Sequence, residues 1–178
     1  MDHAVERFAH SDQVEMVHRS FPLGGSFPAD RTVSVREALL SQYGIGGAQA
    51  EATTRQIEAL AASESLSPYR VLDNAVGNTG PAHEFLAHAS AQGENREAWE
   101  TVFRTYFGRA EPVFALNDLL KLSDELGLDR DQTRQVLTER RYRTQVRTAW
   151  HETHPVTLTA AGATQSCGPD GCAVPARP

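Results

Sequence analysis

Val14-Glu15-Met16-Val17-His18-Arg19-Ser20-Phe21 is the stretch on which the fold turns. It is rich in β-formers, alternates in part between apolar and polar residues, and is stopped by Pro22 and Gly24-Gly25. Only Tyr69-Arg70-Val71-Leu72 offers a second, shorter extended piece. A lone strand leaves a row of backbone donors and acceptors unpaired. Residues 14–21 are therefore expected to pair with residues 69–72, to pair with another chain, or to lie at the edge of a reduced sheet.

Around that strand the patterning is helical. Residues 4–10 read as the last turns of a helix, with Val5 and Phe8 on one side. Ser34-Val35-Arg36-Glu37 is a capping box that opens a helix through Tyr43, broken by Gly44-Ile45-Gly46-Gly47. Ala52, Ile57, Leu60 and Ala61 lie near helical spacing in a helix over 48–64, which Ser67-Pro68 ends. Pro81 suits the first turn of a helix over 81–92 with Phe85, Leu86 and Ala89 inward, and Gly93 stops it. Trp99, Val102, Phe103, Tyr106 and Phe107 form an aromatic helix ended by Gly108. Asn117 caps a leucine-rich helix closed by Gly127, and Asp129-Arg130-Asp131-Gln132 repeats the capping pattern before Val136 and Leu137. Tyr142, Val146 and Trp150 fall on one stripe of a last helix. From Pro155 onward the residues are small and polar, and the tail is expected to be poorly ordered.

Totals narrow the function classes. The 178 residues are 40% hydrophobic and 22% charged, the balance of a globular domain with a real core. The net charge of −6 argues against a nucleic-acid or anionic-membrane partner, since phosphate binding needs concentrated basic surface. The exception, Arg140, Arg141, Arg143 and Arg147, is flanked by Glu139 and Glu152 and reads as a solvated helix face. No apolar run is long enough to span a bilayer, and Met1-Asp2-His3-Ala4-Val5-Glu6-Arg7 is acidic and polar where a signal peptide is basic and then apolar. The chain is therefore expected in the cytoplasm.

The residues able to carry chemistry are few. The two cysteines, Cys167 and Cys172, flank Cys167-Gly168-Pro169-Asp170-Gly171-Cys172, where the turn-forming centre permits a small disulfide ring. Such an exposed pair would be readily oxidised and reduced. The other readings are two incidental thiols, or half of a metal shell with His151 and His154 nearest by; two thiolates alone do not complete a tetrahedral site. We expect no metal and no cofactor. The seven histidines form no HExxH pattern, and neither a Gly-x-Ser-x-Gly elbow nor a phosphate-binding glycine loop occurs. His83 follows Asn78-Thr79-Gly80-Pro81 and can line a cleft, or simply hydrogen-bond at a helix start. The stripe from Trp99 to Phe107 is core, or else a substrate pocket.

The order of these elements resembles the FrnE-like branch of the DsbA thioredoxin superfamily. Phe8-Ala9-His10-Ser11-Asp12-Gln13 running into residues 14–21 is similar to the family's second strand and its approach. Gln42-Tyr43-Gly44, then Asn78-Thr79 with Ala82-His83, Phe103-Arg104-Thr105-Tyr106-Phe107, and Leu116-Asn117 onward resemble its helical insertion. Ala149-Trp150-His151-Glu152, His154-Pro155 and the cysteine tail resemble the end of actinobacterial members.

The resemblance implies a thioredoxin fold with an inserted helical domain, and disulfide exchange through a Cys-x-x-Cys pair facing a cis-proline loop. Some members carry a second Cys-x4-Cys near the C-terminus. Two departures shape what is expected here. The sequence begins inside what would be the first helix, without the first strand and its Cys-x-x-Cys. Tyr142-Arg143-Thr144-Gln145-Val146 then runs almost directly into Arg147-Thr148-Ala149-Trp150, where the family places the proline loop and last strands.

The expected architecture is thus mostly α: the helical insertion domain of a DsbA-like thioredoxin fold with a remnant sheet of one or two strands. Residues 1–33 would be the thioredoxin remnant, 34–139 the insertion, 140–155 the C-terminal helix and 156–178 a flexible tail. The family implies a thiol–disulfide oxidoreductase, here with reduced or no dithiol exchange, and with Cys167 and Cys172 as the one candidate redox pair. The alternative is a non-catalytic binding module. His83, Asn78 and Phe107 are the substrate-facing candidates, for a protein thiol or a small molecule. A homodimer could form through the exposed strand.

Overall fold

The computed structural model describes residues 5, 7–14, 16, 18–21, 27–28, 31–151, 157–160 and 163–166. Seven helices dominate them. A 3-10 turn, Ser11–Gln13, precedes β1 (Val33–Ser34), α1 (Val35–Tyr43) and α2 (Gly47–Ser63). Then come β2 (Ala75–Val76), α3 (Gly80–Ala91), α4 (Asn95–Phe103), a π-helical turn (Arg104–Gly108), α5 (Leu116–Glu125), α6 (Arg130–Thr138) and α7 (Arg143–His151). Two short strands follow, β3 (Thr157–Ala160) and β4 (Ala163–Ser166).

The helices begin and stop where side-chain chemistry makes them. The Ser34 hydroxyl accepts from the Glu37 amide at 3.1 Å and caps α1. The chain leaves α1 through Gly44 at φ 67°, whose amide bonds the Leu40 carbonyl at 3.1 Å, a left-handed exit that glycine adopts without strain. The Asp129 carboxylate caps α6 by accepting from the Gln132 amide at 2.7 Å. Pro81 sits in the first turn of α3. Asn117 is not a cap: α5 starts at Leu116 behind Ala115, and the Asp118 carboxylate reaches back to the Ala115 amide at 3.4 Å.

The core is built on α3. Ala82, Phe85, Leu86 and Ala89 pack against Ala98, Trp99 and Val102 of α4, Leu119 and Leu122 of α5, and Leu137 of α6. Phe85, Ala89, Ala98 and Leu119 are fully buried. The small alanines let the helices approach closely while Phe85 fills the space between them. Tyr142 is half-buried and Val146 buried, so the expected stripe of the last helix faces inward; the Trp150 side chain lies outside the description.

Strand pairing differs from the sequence reading. Residues 14, 16 and 18–21 form no strand, and 69–72 form a loop. In the helical body the described residues pair as an antiparallel β1–β2 sheet, Val33 with Val76 and Ser34 with Ala75. The described part of this stretch instead sets His18 on the Trp99 ring. The Arg70 amide is likewise taken by the Phe107 carbonyl at 2.7 Å, not by a strand neighbour. At the tail, β3 and β4 pair antiparallel from Thr157 with Ser166 to Ala160 with Ala163, where the composition promised no element. Cys167 and Cys172 lie outside the described residues.

The basic cluster also needs correction. Arg140 does not lie on a solvated helix face. It sits at φ 54° in the turn between α6 and α7, and its guanidinium grips the Glu84 carboxylate, with contacts of 2.7, 2.9 and 3.0 Å. Glu84 is 2% exposed. A buried carboxylate must be paired, and this pair fastens the start of α3 to the far end of α6.

Candidate functional site

Aromatic side chains line up along one side of α3 and α4. His18 stacks on Trp99 with ring centroids 5.4 Å apart and planes 25° from parallel. Trp99 meets Phe103 at 5.4 Å, Phe103 meets Phe107 at 6.1 Å, and Phe107 stacks on Tyr69 at 4.9 Å with the planes 6° apart. Tyr106 joins the row edge-on to Phe107 and to Phe114.

Trp99, Phe103 and Phe107 fall at i, i+4, i+8, and the row runs on into the π-helical turn, where the Arg109 amide bonds the Arg104 carbonyl at 3.0 Å, an i→i+5 bond. Tyr106 is held by its hydroxyl, which donates to the Ala75 carbonyl at 2.8 Å. Burial raises the Tyr106 phenol above its usual range, with the neighbouring Tyr69 adding to the shift. On the outer side Arg104 and Arg109 both bind the Glu125 carboxylate, at 2.7 and 3.1 Å, and brace the turn. Their hydrogen bonds hold Glu125 below the usual carboxylate range.

The three substrate-facing candidates take different roles. His83 is half-buried and leans on Trp99 at 6.2 Å. Burial lowers it to about 4, so its ring is neutral at pH 7. Its Nδ1 is buried without a hydrogen-bond partner, as is Nδ1 of His18 on the same indole. Phe107 is half-buried in the aromatic row. Asn78 is structural in its contacts: Nδ2 donates to the Phe27 carbonyl at 2.8 Å, and Oδ1 accepts from the Gly80 amide at 2.9 Å. It ties the Phe27 segment to the start of α3. The structure thus connects His83 to Phe107 through Trp99 and Phe103, and sets Asn78 behind them as a brace.

Sequence reasoning missed His18, which it read as one position of a strand. No local signal marks it, because its partner Trp99 is distant in the chain. It also missed His88, which is 1% exposed on α3. The Thr133 hydroxyl spends its proton on the Asp129 carbonyl at 2.8 Å, so His88 Nε2, 3.2 Å from Thr133 Oγ1, is the donor. Burial lowers the His88 pKa, and the charge of Arg141 lowers it further.

A cleft of about 540 Å3 opens beside His18, bordered by residues 18–20, α3, the start of α4, and α7. Among the described residues no group of three or more His, Cys, Asp or Glu side chains is placed to hold a metal ion. No described helix is long and apolar enough to cross a membrane.

Comparison with known proteins accords with this architecture. The model of the DSBA-like thioredoxin domain matches residues 1–159. The crystal structure of a probable DsbA oxidoreductase from Streptomyces coelicolor is similar, with a TM-score of 0.72 and 29% identity over 98% of this chain and 91% of that one. No curated protein matches significantly. Helices carry the core of the described residues, and the match runs from the first residue through α7 and into the tail: the chain belongs to the DSBA-like thioredoxin domain family.

Proposed function

We propose that the chain is a thiol–disulfide oxidoreductase of the FrnE-like branch whose own dithiol chemistry rests on Cys167 and Cys172. The family match over residues 1–159 carries the oxidoreductase assignment. The chain holds two cysteines in all, so no other residues in it can supply the thiols. Both lie beyond the matched residues, and their Cys-x4-Cys spacing is not the Cys-x-x-Cys arrangement that lowers the pKa of an attacking thiolate in such enzymes. Exchange is therefore expected to be slow. In each turnover two thiols would close a disulfide ring, passing two electrons and two protons to a substrate disulfide.

The test is insulin reduction, and oxidation of a model dithiol, by the wild type and by Cys167→Ser/Cys172→Ser. Activity in the wild type that the double variant loses supports the proposal. Equal activity in both removes the tail pair, and inactivity of both leaves the helical binding module as the reading. We extend the proposal to a protein thiol or small-molecule disulfide as partner, to residues 34–139 as the inserted domain, and to the cytoplasm, where a cysteine-free body is usual. Fractionation of cells expressing the native gene checks the last point. Self-association through residues 14–21 is the weaker arm, since those of them that are described form no strand. Light scattering decides it.

A further inference from the structure

The cleft beside His18 is lined by apolar and by polar side chains. Its floor is aliphatic, from Leu86, Ala87 and Val146. Its rim includes the uncharged polar Thr144 and Gln145, and Arg19 stands at one end. Arg19 is exposed and makes no ion pair among the described residues. Among the described residues that line it none is acidic, although the chain carries 23 acidic residues against 17 basic ones. The described lining thus holds one positive charge and no negative one, which favours an anion there.

Two features define the ligand's body. His18 covers one face of the Trp99 indole, and Trp99 is only 9% exposed, so the indole offers no platform for a stacking ring. The apolar surface left to a ligand is the aliphatic floor. A cleft of this size, with an apolar floor and a few convergent polar groups, has the build of a small-molecule site.

We propose that this cleft binds a small aliphatic carboxylate, its charged end on the Arg19 guanidinium and its apolar body on Leu86, Ala87 and Val146. Binding there does not call on the tail thiols. The full chain would be titrated with cyclohexanecarboxylate, and with cyclohexanemethanol and cyclohexylmethylamine as neutral and cationic counterparts. Binding is read by calorimetry and by the Trp99 indole N–H resonance, assigned with Trp150→Phe.

The carboxylate is expected to bind saturably at one site, about tenfold more tightly than the alcohol, with the amine weakest. Arg19→Gln, at an exposed position, should bring the carboxylate to the alcohol's level without changing the fold. Ala87→Phe should fill the cleft and abolish binding of both. No saturable shift up to about 20 mM overturns the proposal, that being far weaker than a formed site of this size gives. So does an affinity that Arg19→Gln leaves unchanged, or an amine that binds as well as the carboxylate.

Discussion

Acidification should loosen the helical body, and His83 is the group expected to carry much of that loss. Burial against Trp99 holds its pKa at about 4, against 6.5 for an exposed imidazole. The fold therefore favours the neutral ring. Between those two values the unfolded chain binds a proton that the folded chain refuses, so stability falls as the pH drops. The contribution is fully present above about pH 6.5, shrinks through pH 5, and is gone below about pH 4. A shift of about 2.5 units at ~1.4 kcal/mol per unit is worth about 3 kcal/mol. The ring is only half-buried, and solvent screening brings the expectation to about 2 kcal/mol by pH 4.5. The assay is urea unfolding at pH 7.0 and 4.5 of the wild type and His83→Gln, which keeps a polar side chain of similar reach but cannot titrate. The wild type should lose about 2 kcal/mol more than the variant over that interval. Equal losses in the two proteins would refute the assignment, and a wild type that gains stability in acid would refute the sign.

His88 should add to the same acid lability, because burial and Arg141 both depress it; His88→Gln should flatten what pH dependence remains in His83→Gln, read by the same unfolding curves. Arg140→Ala leaves the Glu84 carboxylate buried and alone, and should cost about 3 kcal/mol, of which Glu84→Leu in the same chain restores a large part. Phe85→Ala opens a cavity where the side chain is fully enclosed, and should cost about 4 kcal/mol with a matching fall in Tm. Asp129→Ala removes the α6 cap, and should cost about 1 kcal/mol, seen also as faster amide exchange at Gln132.

The helical part of the fold was legible because its signals are local. Ser34, Pro81, Gly93 and Asp129 each act within a turn of their own position, and the inward faces of α3 and α4 repeat at helical spacing. The strands were not legible for the opposite reason. A pair of two-residue strands has no period to detect, and the described residues of 14–21 form no strand, while His18 among them meets Trp99 far along the chain. The site divides in the same way. His83 could be picked out from the turn that precedes it, but its neutral state and its contact with Trp99 depend on packing. Arg140 looked like an ordinary surface charge, and only the meeting of two segments 56 residues apart sets it on the buried Glu84 carboxylate.

That pair has a topological consequence. A segment can be spliced into a host chain without prying the host open only when its two ends come back to nearly one place. Glu84 lies in the second turn of α3 and Arg140 just beyond α6, so everything between them leaves and returns through a doorway the width of one ion pair. The bundle from α3 to α6 is in this sense a closed loop with a single latch. Cutting that latch would free both ends of the loop at once.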